Sequence, residues 1–192
     1  LSEYGKPGNY FERQIGRWTK QYKASETEHI EPMEQLMDWV ARNIPEDDGK
    51  ISLIHGDYRL DNFIFHPTKP EIIAVVDWEL STLGHPLADL AYQCMQWRMP
   101  HNSLIMGLDS IDRAALGIPN EEDYVREYAA RMGNDTIDHW SFYLAFSFFR
   151  LAAIVQGVMK RSLDGNASNE KARQVGQLTR PLAEKAIAIL KL

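Results

Sequence analysis

The chain has 192 residues, of which 44% are hydrophobic and 25% are charged, a composition typical of one globular domain or one large lobe. Its formal net charge of −6 argues against nucleic acid as the main partner. The single cysteine, Cys94, excludes an internal disulfide framework and predicts a reducing, cytoplasmic setting. The longest apolar run, residues 142–155, contains Arg150 and is too short to span a bilayer, so we expect no membrane partner.

Helical periodicity dominates both ends of the chain. Apolar residues recur at helical spacing over residues 10–22 and again over residues 30–44. After residue 86 the helical period returns, with an almost wholly apolar segment over residues 137–159 and a closing helix over residues 172–190. We therefore predict a buried central helix and an α+β fold that is mostly α.

Between these helical parts lies a small predicted β insert. Short apolar runs that are rich in β-branched or aromatic residues occupy residues 51–54, 63–65 and 72–76. The last two runs are joined by the turn-forming sequence His-Pro-Thr-Lys-Pro, which predicts a β-hairpin.

Polar side chains concentrate in this insert. The sequence HGDYRLDN lies between two of its strands at residues 55–62, and DWE follows its strongest strand at residues 77–79. Five acids and amides therefore lie at strand ends, namely Asp57, Asp61, Asn62, Asp77 and Glu79. Neighbouring carboxylates repel each other unless a cation lies between them. Mg²⁺ bound together with a phosphate is the simplest cation for such oxygen ligands.

The spacing of these residues resembles that of a known family. His-x-Asp-x-x-x-x-Asn is the catalytic-loop pattern of protein kinases and their relatives, and a metal-binding Asp follows about 20 residues later. The sequences HGDYRLDN, DWELSTLG and GHPLADLA are together similar to the aminoglycoside phosphotransferase (APH) family. They resemble most the branch that is fused to acyl-CoA dehydrogenases in some eukaryotes. The resemblance is dense over residues 51–92 and looser elsewhere.

The resemblance implies an ATP-dependent phosphotransferase that acts on a hydroxyl of a small molecule and uses Mg²⁺. Asp57 matches the catalytic Asp that orients the acceptor hydroxyl and accepts its proton. Asn62 and Asp77 match the Mg²⁺ ligands. Each of the three also has a plain interpretation as a turn or capping residue, because Asp and Asn are common in such places.

Four further residues complete the site that the resemblance implies. Arg59 lies near the place of a kinase Lys that contacts the transferred phosphoryl group, although pairing with Asp61 or Glu79 explains it as well. Glu79 is either an auxiliary metal group or a solvated carboxylate. Asp89 resembles the helix Asp that hydrogen-bonds the catalytic-loop backbone, and complementing the helix dipole is its alternative role. His55 belongs to the catalytic loop, where a structural role is favoured over a catalytic one.

The first fifty residues lack the features of the N-terminal lobe of such an enzyme. That lobe supplies a glycine-bearing loop over the phosphates and a strand Lys paired with a helix Glu. We therefore expect residues 1–192 to form the C-terminal lobe of a protein-kinase-like fold, with the nucleotide lobe absent from this chain. Such a lobe alone is expected to be inactive and to expose an apolar docking face, which favours self-association.

Two other functions compete with the phosphotransferase. One is a catalytically silent kinase-like binding module, which has no need to keep Asp57, Asn62 and Asp77 together. The other is a metal-dependent hydrolase that uses His55, Asp57, Asp77 and His85, although transition-metal sites usually need several His residues at fixed spacing.

The sequence also bears on the acceptor. Residues 1–149 carry 13 basic and 24 acidic side chains, whereas residues 150–192 carry 8 basic and 3 acidic ones. A solvated basic helix explains the second segment, and a surface facing an anionic substrate is the alternative. The alternative favours an anionic or neutral hydroxylated acceptor over a cationic aminoglycoside. The acyl-CoA dehydrogenase-linked branch suggests a hydroxyacyl thioester.

Overall fold

The computed structural model describes residues 4–6, 8–165 and 170–192. In chain order its helices and strands are α1 (Tyr10–Ser25), α2 (Glu31–Arg42), β1 (Ser52–Ile54), β2 (Phe63–Phe65), β3 (Ile72–Val75), β4 (Thr82–Gly84), α3 (Leu87–Cys94), α4 (Glu121–Arg131), α5 (Trp140–Leu163), α6 (Glu170–Gly176) and α7 (Thr179–Leu190). Short 3-10 turns cover Leu60–Asn62, Trp78–Leu80 and Met95–Arg98. The order of helices, β insert and further helices confirms the predicted α+β class.

The helix α5 is the centre of the molecule. Helices α1, α2, α3, α6 and α7 all pack against it, which explains why its sequence is apolar on every side. By length and composition it could cross a membrane, but 83% of its most apolar window is buried inside the molecule. The prediction of a buried central helix over residues 137–159 is confirmed.

The β insert consists of two antiparallel two-stranded ribbons. β2 pairs with β3, with Phe63 opposite Val75, so the predicted hairpin is confirmed. β1 pairs with β4, with Ser52 opposite Gly84. The sequence analysis did not predict β4, because three residues paired with a strand almost thirty residues earlier leave no local pattern.

The closing helix differs from the prediction. The segment 172–190 is not one helix but two, α6 and α7, which are separated by a turn after Gly176. A Cβ at Gly176 would lie 2.5 Å from the Cβ of Met159, so glycine permits α6 to approach α5 closely. The Thr179 hydroxyl donates a 2.9 Å hydrogen bond to the carbonyl of Gly176 at the start of α7.

His85 joins β4 to α3 and fastens the turn between them. Its ring is buried and stacks on Tyr143 at a centroid distance of 5.7 Å. The Leu87 amide donates to Nδ1 at 3.2 Å, so Nε2 carries the proton and donates to an Asp48 carboxylate oxygen at 3.1 Å. Burial lowers the pKa of His85, and the negative charge of Asp48 opposes this only in part.

The lowered pKa of His85 predicts a loss of stability on acidification. As pH falls below about 6.5, the unfolded chain takes up a proton on His85 that the folded chain does not. The free energy of unfolding should therefore fall between pH 6.5 and the lower folded pKa, by at most about 1.4 kcal/mol per pH unit, and be unaffected by this group above that window. His85→Gln should lack this component in urea unfolding measured from pH 8 to pH 5. Parallel pH profiles for the two proteins would contradict the prediction.

Candidate active site

The loop between β1 and β2, residues 55–62, has a backbone that only glycine permits at its second position. Gly56 has a φ of +83°, which is strained for residues with a Cβ. A Cβ there would lie 2.6 Å from the Leu80 carbonyl oxygen. This close approach packs the loop against the 3-10 turn that follows β3. We call residues 55–62 the catalytic-loop segment.

Asp89 holds the start of this segment from the first turn of α3. Its carboxylate accepts hydrogen bonds from the backbone amides of His55 at 2.6 Å and Gly56 at 3.0 Å. Burial raises the pKa of Asp89, while these two amides and the charge of Arg150 act in the opposite direction. Asp89 therefore has the geometry that the family resemblance implies, a carboxylate behind the loop.

His55 links the segment to the end of β3. The ring is buried, its Nδ1 accepts the Asp57 amide at 3.2 Å, and Nε2 lies 2.8 Å from the Val76 carbonyl oxygen. Because Nδ1 is an acceptor, the proton is on Nε2, which donates to Val76. Neither ring nitrogen is left for a substrate, so these contacts support the structural interpretation of His55 over the catalytic one.

Asp57 and Asn62 are in direct contact. The Asn62 amide nitrogen donates to the Asp57 backbone oxygen at 2.9 Å and to the Asp57 Oδ2 at 3.1 Å. Asn62 is buried, whereas the Asp57 side chain is 21% exposed. Since Asp57 takes the amide nitrogen of Asn62, the amide oxygen of Asn62 is the group that remains to bind a cation.

The hairpin brings Asp77 beside Asn62. The Val76 amide donates to the Asn62 carbonyl at 2.9 Å, which extends the β2–β3 pairing by one bond. Asp77 follows in the left-handed region, with a φ of +68°, a conformation that Asp tolerates better than most residues. Its carboxylate is exposed and has no hydrogen bond or ion pair within the described part of the chain.

Glu79 lies two residues beyond Asp77 in the 3-10 turn, and its side chain is also exposed. Among the described residues it makes no hydrogen bond or ion pair, so nothing directs its carboxylate toward Asn62 or Asp57. Its predicted role as a metal group stays a prediction.

Arg59 lies between two acids of the segment. Its Nε is 3.5 Å from a carboxylate oxygen of Asp57 and 3.5 Å from one of Asp61, and it has no pairing with Glu79. A cavity of about 180 Å³ opens beside it, lined by Arg59, Leu60, Asp61, Gln96, His101, Met106, Gly107 and Leu108. The guanidinium is therefore available at the edge of the segment and next to a space for a small molecule.

The oxygens gathered here suit Mg²⁺. The carboxylates of Asp57 and Asp77 and the amide oxygen of Asn62 are hard donors of the kind that this ion prefers. The alternative cluster of a metal-dependent hydrolase does not form. His85 follows β4 at the end of the β1–β4 ribbon opposite the catalytic-loop segment, and both its nitrogens are occupied.

One other group of metal-binding side chains occurs within the described ranges. Glu26, His29 and Glu34 place three ligand atoms within 4.8 Å of one another. The ammonium of Lys23 forms ion pairs with both glutamates, so a cation of the chain itself already balances them. This group lies on α2 and the loop before it and is separate from the catalytic-loop segment.

Two residues that the sequence analysis did not assign to the site lie directly behind it. Tyr92 is buried near Asp57, and burial together with the negative charge of Asp57 raises the pKa of Tyr92 to about 12. Arg150, on α5, donates a hydrogen bond to the Gly56 carbonyl. The sequence does not single out Tyr92, because an aromatic residue is ordinary in an apolar helix. It does single out Arg150, because a charged residue is unusual within an apolar run.

At least four of the eight cations of the basic C-terminal segment have partners within the described ranges. Lys160 pairs with Asp164, Arg180 with Glu28, and Lys185 with Asp109, and Arg150 is buried against the loop backbone. None of these three acids belongs to the catalytic-loop segment, so for these cations the contacts favour the interpretation of a solvated basic face. The alternative, a surface that faces an anionic substrate, stays a prediction.

Comparisons with known proteins identify the family. The phosphotransferase enzyme family, APH, matches residues 1–128. Acyl-CoA dehydrogenase family member 10 of Mus musculus is 51% identical over 187 residues, which is 97% of this chain and 17% of that protein. Family member 11 of Homo sapiens is 41% identical over 192 residues, covering all of this chain and 24% of its own length.

A solved structure extends the match to the fold. A Ralstonia eutropha protein assigned as an aminoglycoside phosphotransferase has 54% identity and a TM-score of 0.94, with 100% of this chain and 58% of that chain covered. The chain thus spans about a quarter or less of the curated relatives and little more than half of this structural relative. Since the family match covers more than half of the chain and the loop geometry agrees with it, this chain belongs to the APH phosphotransferase enzyme family.

Proposed function

We propose that the protein carrying this chain is an ATP-dependent phosphotransferase acting on a hydroxyl of a small molecule, and that this chain is its C-terminal, acceptor-binding lobe. The observation that carries the proposal is the contact between Asp57 and Asn62 at the end of the β2–β3 hairpin. Asn62 donates to the Asp57 carboxylate, and Val76, which directly precedes Asp77, hydrogen-bonds the Asn62 carbonyl. A catalytically silent module has no need of this arrangement.

In this proposal Asp57 orients the acceptor. Its carboxylate is fixed by the Asn62 amide and remains partly exposed, so it can accept a hydrogen bond from an acceptor hydroxyl. The acceptor oxygen forms a bond to the γ-phosphorus, the bond from phosphorus to the bridging oxygen of the nucleotide breaks, and the hydroxyl proton goes to Asp57. The Arg59 guanidinium, 3.5 Å from Asp57, is placed to stabilise charge on the equatorial oxygens.

Asn62 and Asp77 would hold Mg²⁺, which when bound neutralises negative charge on the nucleotide phosphates. The contacts with Asp57 hold the Asn62 amide before any ligand binds, and the left-handed turn sets the backbone from which the exposed Asp77 carboxylate projects. Glu79 is an auxiliary group in this scheme.

The nucleotide requires a partner surface that the proposal assigns to an N-terminal lobe outside this chain. Apolar side chains of the β insert are exposed next to the site, namely Leu53, Ile64, Phe65, Ile72, Ile73, Val76, Trp78 and Leu80, each 39% to 56% accessible. Exposed apolar side chains in such number are typical of a docking face. With that lobe absent we expect little nucleotide turnover and a tendency to self-associate.

Several classes of hydroxyl-bearing phosphoryl acceptor are compatible with this site. The cavity beside Arg59 carries both signs of charge, since Asp61 lines it as well. Two relatives carry acyl-CoA dehydrogenase names, which favours a hydroxyacyl thioester as the first acceptor to test, ahead of aminoglycosides. The single, buried Cys94 fits a cytoplasmic location.

The direct test of the proposal uses the intact protein. Transfer of ³²P from γ-labelled ATP should require Mg²⁺ and one member of a panel of hydroxylated acceptors that includes 3-hydroxyacyl-CoA, sugars and aminoglycosides. Tight Zn²⁺ binding without nucleotide, combined with hydrolysis and no transfer, would instead favour the hydrolase.

Asp57→Asn should separate catalysis from binding. The substitution keeps the shape of the side chain but removes its charge and its ability to accept a proton, so kcat should fall by roughly 10²–10⁴-fold. The nucleotide Kd and the melting temperature should change little. Asp38→Asn is the matched control, because Asp38 is an exposed carboxylate that pairs with Arg42 on α2 and lies outside the catalytic-loop segment. Retention of most of the kcat in Asp57→Asn would show that the role is misassigned.

Asp77→Asn should act on metal-dependent nucleotide binding. Asn also tolerates the left-handed backbone at this position, so the substitution removes charge without adding strain. Calorimetric titration with ATP should show weaker binding in the presence of Mg²⁺ and little change in its absence. Glu79→Gln serves as the comparison and should have the smaller effect. Normal Mg²⁺–ATP affinity in Asp77→Asn would remove Asp77 from the metal site.

A further inference from the structure

Arg150 is a cation in the most apolar helix of the molecule. It lies on α5, is only 7% exposed, and its guanidinium Nη2 donates a hydrogen bond to the Gly56 carbonyl. The guanidinium carbon is 5.2 Å from the ring centre of Tyr92 and 5.7 Å from that of Trp18. Its Nε has no hydrogen-bond partner in the described part of the chain. The Gly56 carbonyl is thus the polar group that this buried cation reaches.

Arg150 and Asp89 hold the same short stretch of backbone with opposite charges. Asp89 accepts the amides of His55 and Gly56, and Arg150 donates to the carbonyl of Gly56. A buried charge is costly unless it is paired and hydrogen-bonded, and here each charge lies within the field of the other. The amide and the carbonyl of Gly56 are therefore both bound to charged side chains, the half-buried Asp89 and the buried Arg150.

The position of Asp57 depends on this stretch. Glycine has the widest choice of backbone conformations, and Gly56 directly precedes Asp57. Fixing the Gly56 carbonyl fixes the plane of the Gly56–Asp57 peptide and so the direction in which the Asp57 side chain leaves the backbone. The ring of Tyr92 also packs on the guanidinium, so the aromatic side chain beside Arg150 is one that lies within the field of Asp57.

We propose that Arg150 is a positioning residue: by holding the Gly56 carbonyl from the core helix α5, it fixes the Gly56–Asp57 peptide and thereby the Asp57 carboxylate. The Arg150–Gly56 contact is independent of the proposed function, and only its kinetic consequence rests on that function. Through this contact, the orientation of the Asp57 carboxylate depends on the packing of the central helix α5.

The contact can be measured directly on the Gly56 carbonyl. Gly56–Asp57 is the only Gly–Asp step in the 192 residues. Labelling the intact protein with [1-¹³C]glycine and [¹⁵N]aspartate therefore yields a carbonyl–amide correlation for this peptide, which is identified by its loss in Asp57→Asn. Arg150→Met should move the Gly56 carbonyl shift upfield and accelerate hydrogen exchange of the Asp57 amide, because the carbonyl loses its charged donor.

Two variants make the measurement decisive. Gln156→Met is the matched control: Gln156 is buried on the same helix, but its amide donates to the Ser25 carbonyl at 2.7 Å, on the far side from the loop. It should lower the melting temperature and leave the Gly56 carbonyl unmoved. Arg150→Lys keeps the buried charge with a single-point donor, and should give an intermediate shift. If Arg150→Met fails to fold, the Gly56 carbonyl shift is measured in Arg150→Lys instead. A shift equal to that of the wild-type protein overturns the proposal.

The kinetic arm separates a positioning role from a merely structural one. In the ATP assay with an accepted substrate, Arg150→Met should lower kcat by about 10–100-fold, the effect of a misplacement near 1 Å, with the nucleotide KM unchanged. Arg150→Lys should recover part of the kcat. A moved carbonyl with normal kcat would overturn the positioning role. If the wild-type protein transfers no phosphoryl group, the proposed function fails, while the carbonyl shift still decides whether Arg150 holds the peptide.

Discussion

The site depends on one half-buried carboxylate. Asp89 accepts the amides of His55 and Gly56, and in doing so connects the first turn of α3 to the catalytic-loop segment. Burial raises the pKa of Asp89. The interaction persists because the two amides and the nearby Arg150 compensate for the hydration that the carboxylate loses. Without this link, the loop would be held by the hydrogen bonds from His55 to Val76 and from Arg150 to Gly56 and by two three-residue strands, and isolated ribbons of that length are marginally stable.

The second constraint is the left-handed backbone at two points. Gly56 brings the loop within contact of the Leu80 carbonyl, and Asp77 turns the chain directly after the hairpin. Residues 62 and 77 are far apart in the sequence, yet one hydrogen bond from Val76 to Asn62 makes them neighbours. The backbones of Asn62 and Asp77 are thus brought near each other by a hydrogen bond that does not depend on a bound ligand.

Much of the fold was predictable from local pattern. The β2–β3 hairpin followed from two apolar runs and a turn sequence, and the central helix followed from its uniform apolarity. The break between α6 and α7 did not, because it depends on a glycine fitting against Met159 of another helix. The pairing of β1 with β4 was missed for a similar reason, since its partners are distant in the chain.

The sequence by itself determined the family and the identity of the polar residues, because HGDYRLDN and DWE carry residue types at fixed spacing. Only the tertiary structure decided what each side chain does. It showed that both nitrogens of His55 are taken by backbone groups. It turned Arg150 from an unexplained charge into a donor to the Gly56 carbonyl. The spacing of residue types reports only on neighbours along the chain. Hydrogen bonds between α3, α5 and the β insert form only when packing brings those elements together.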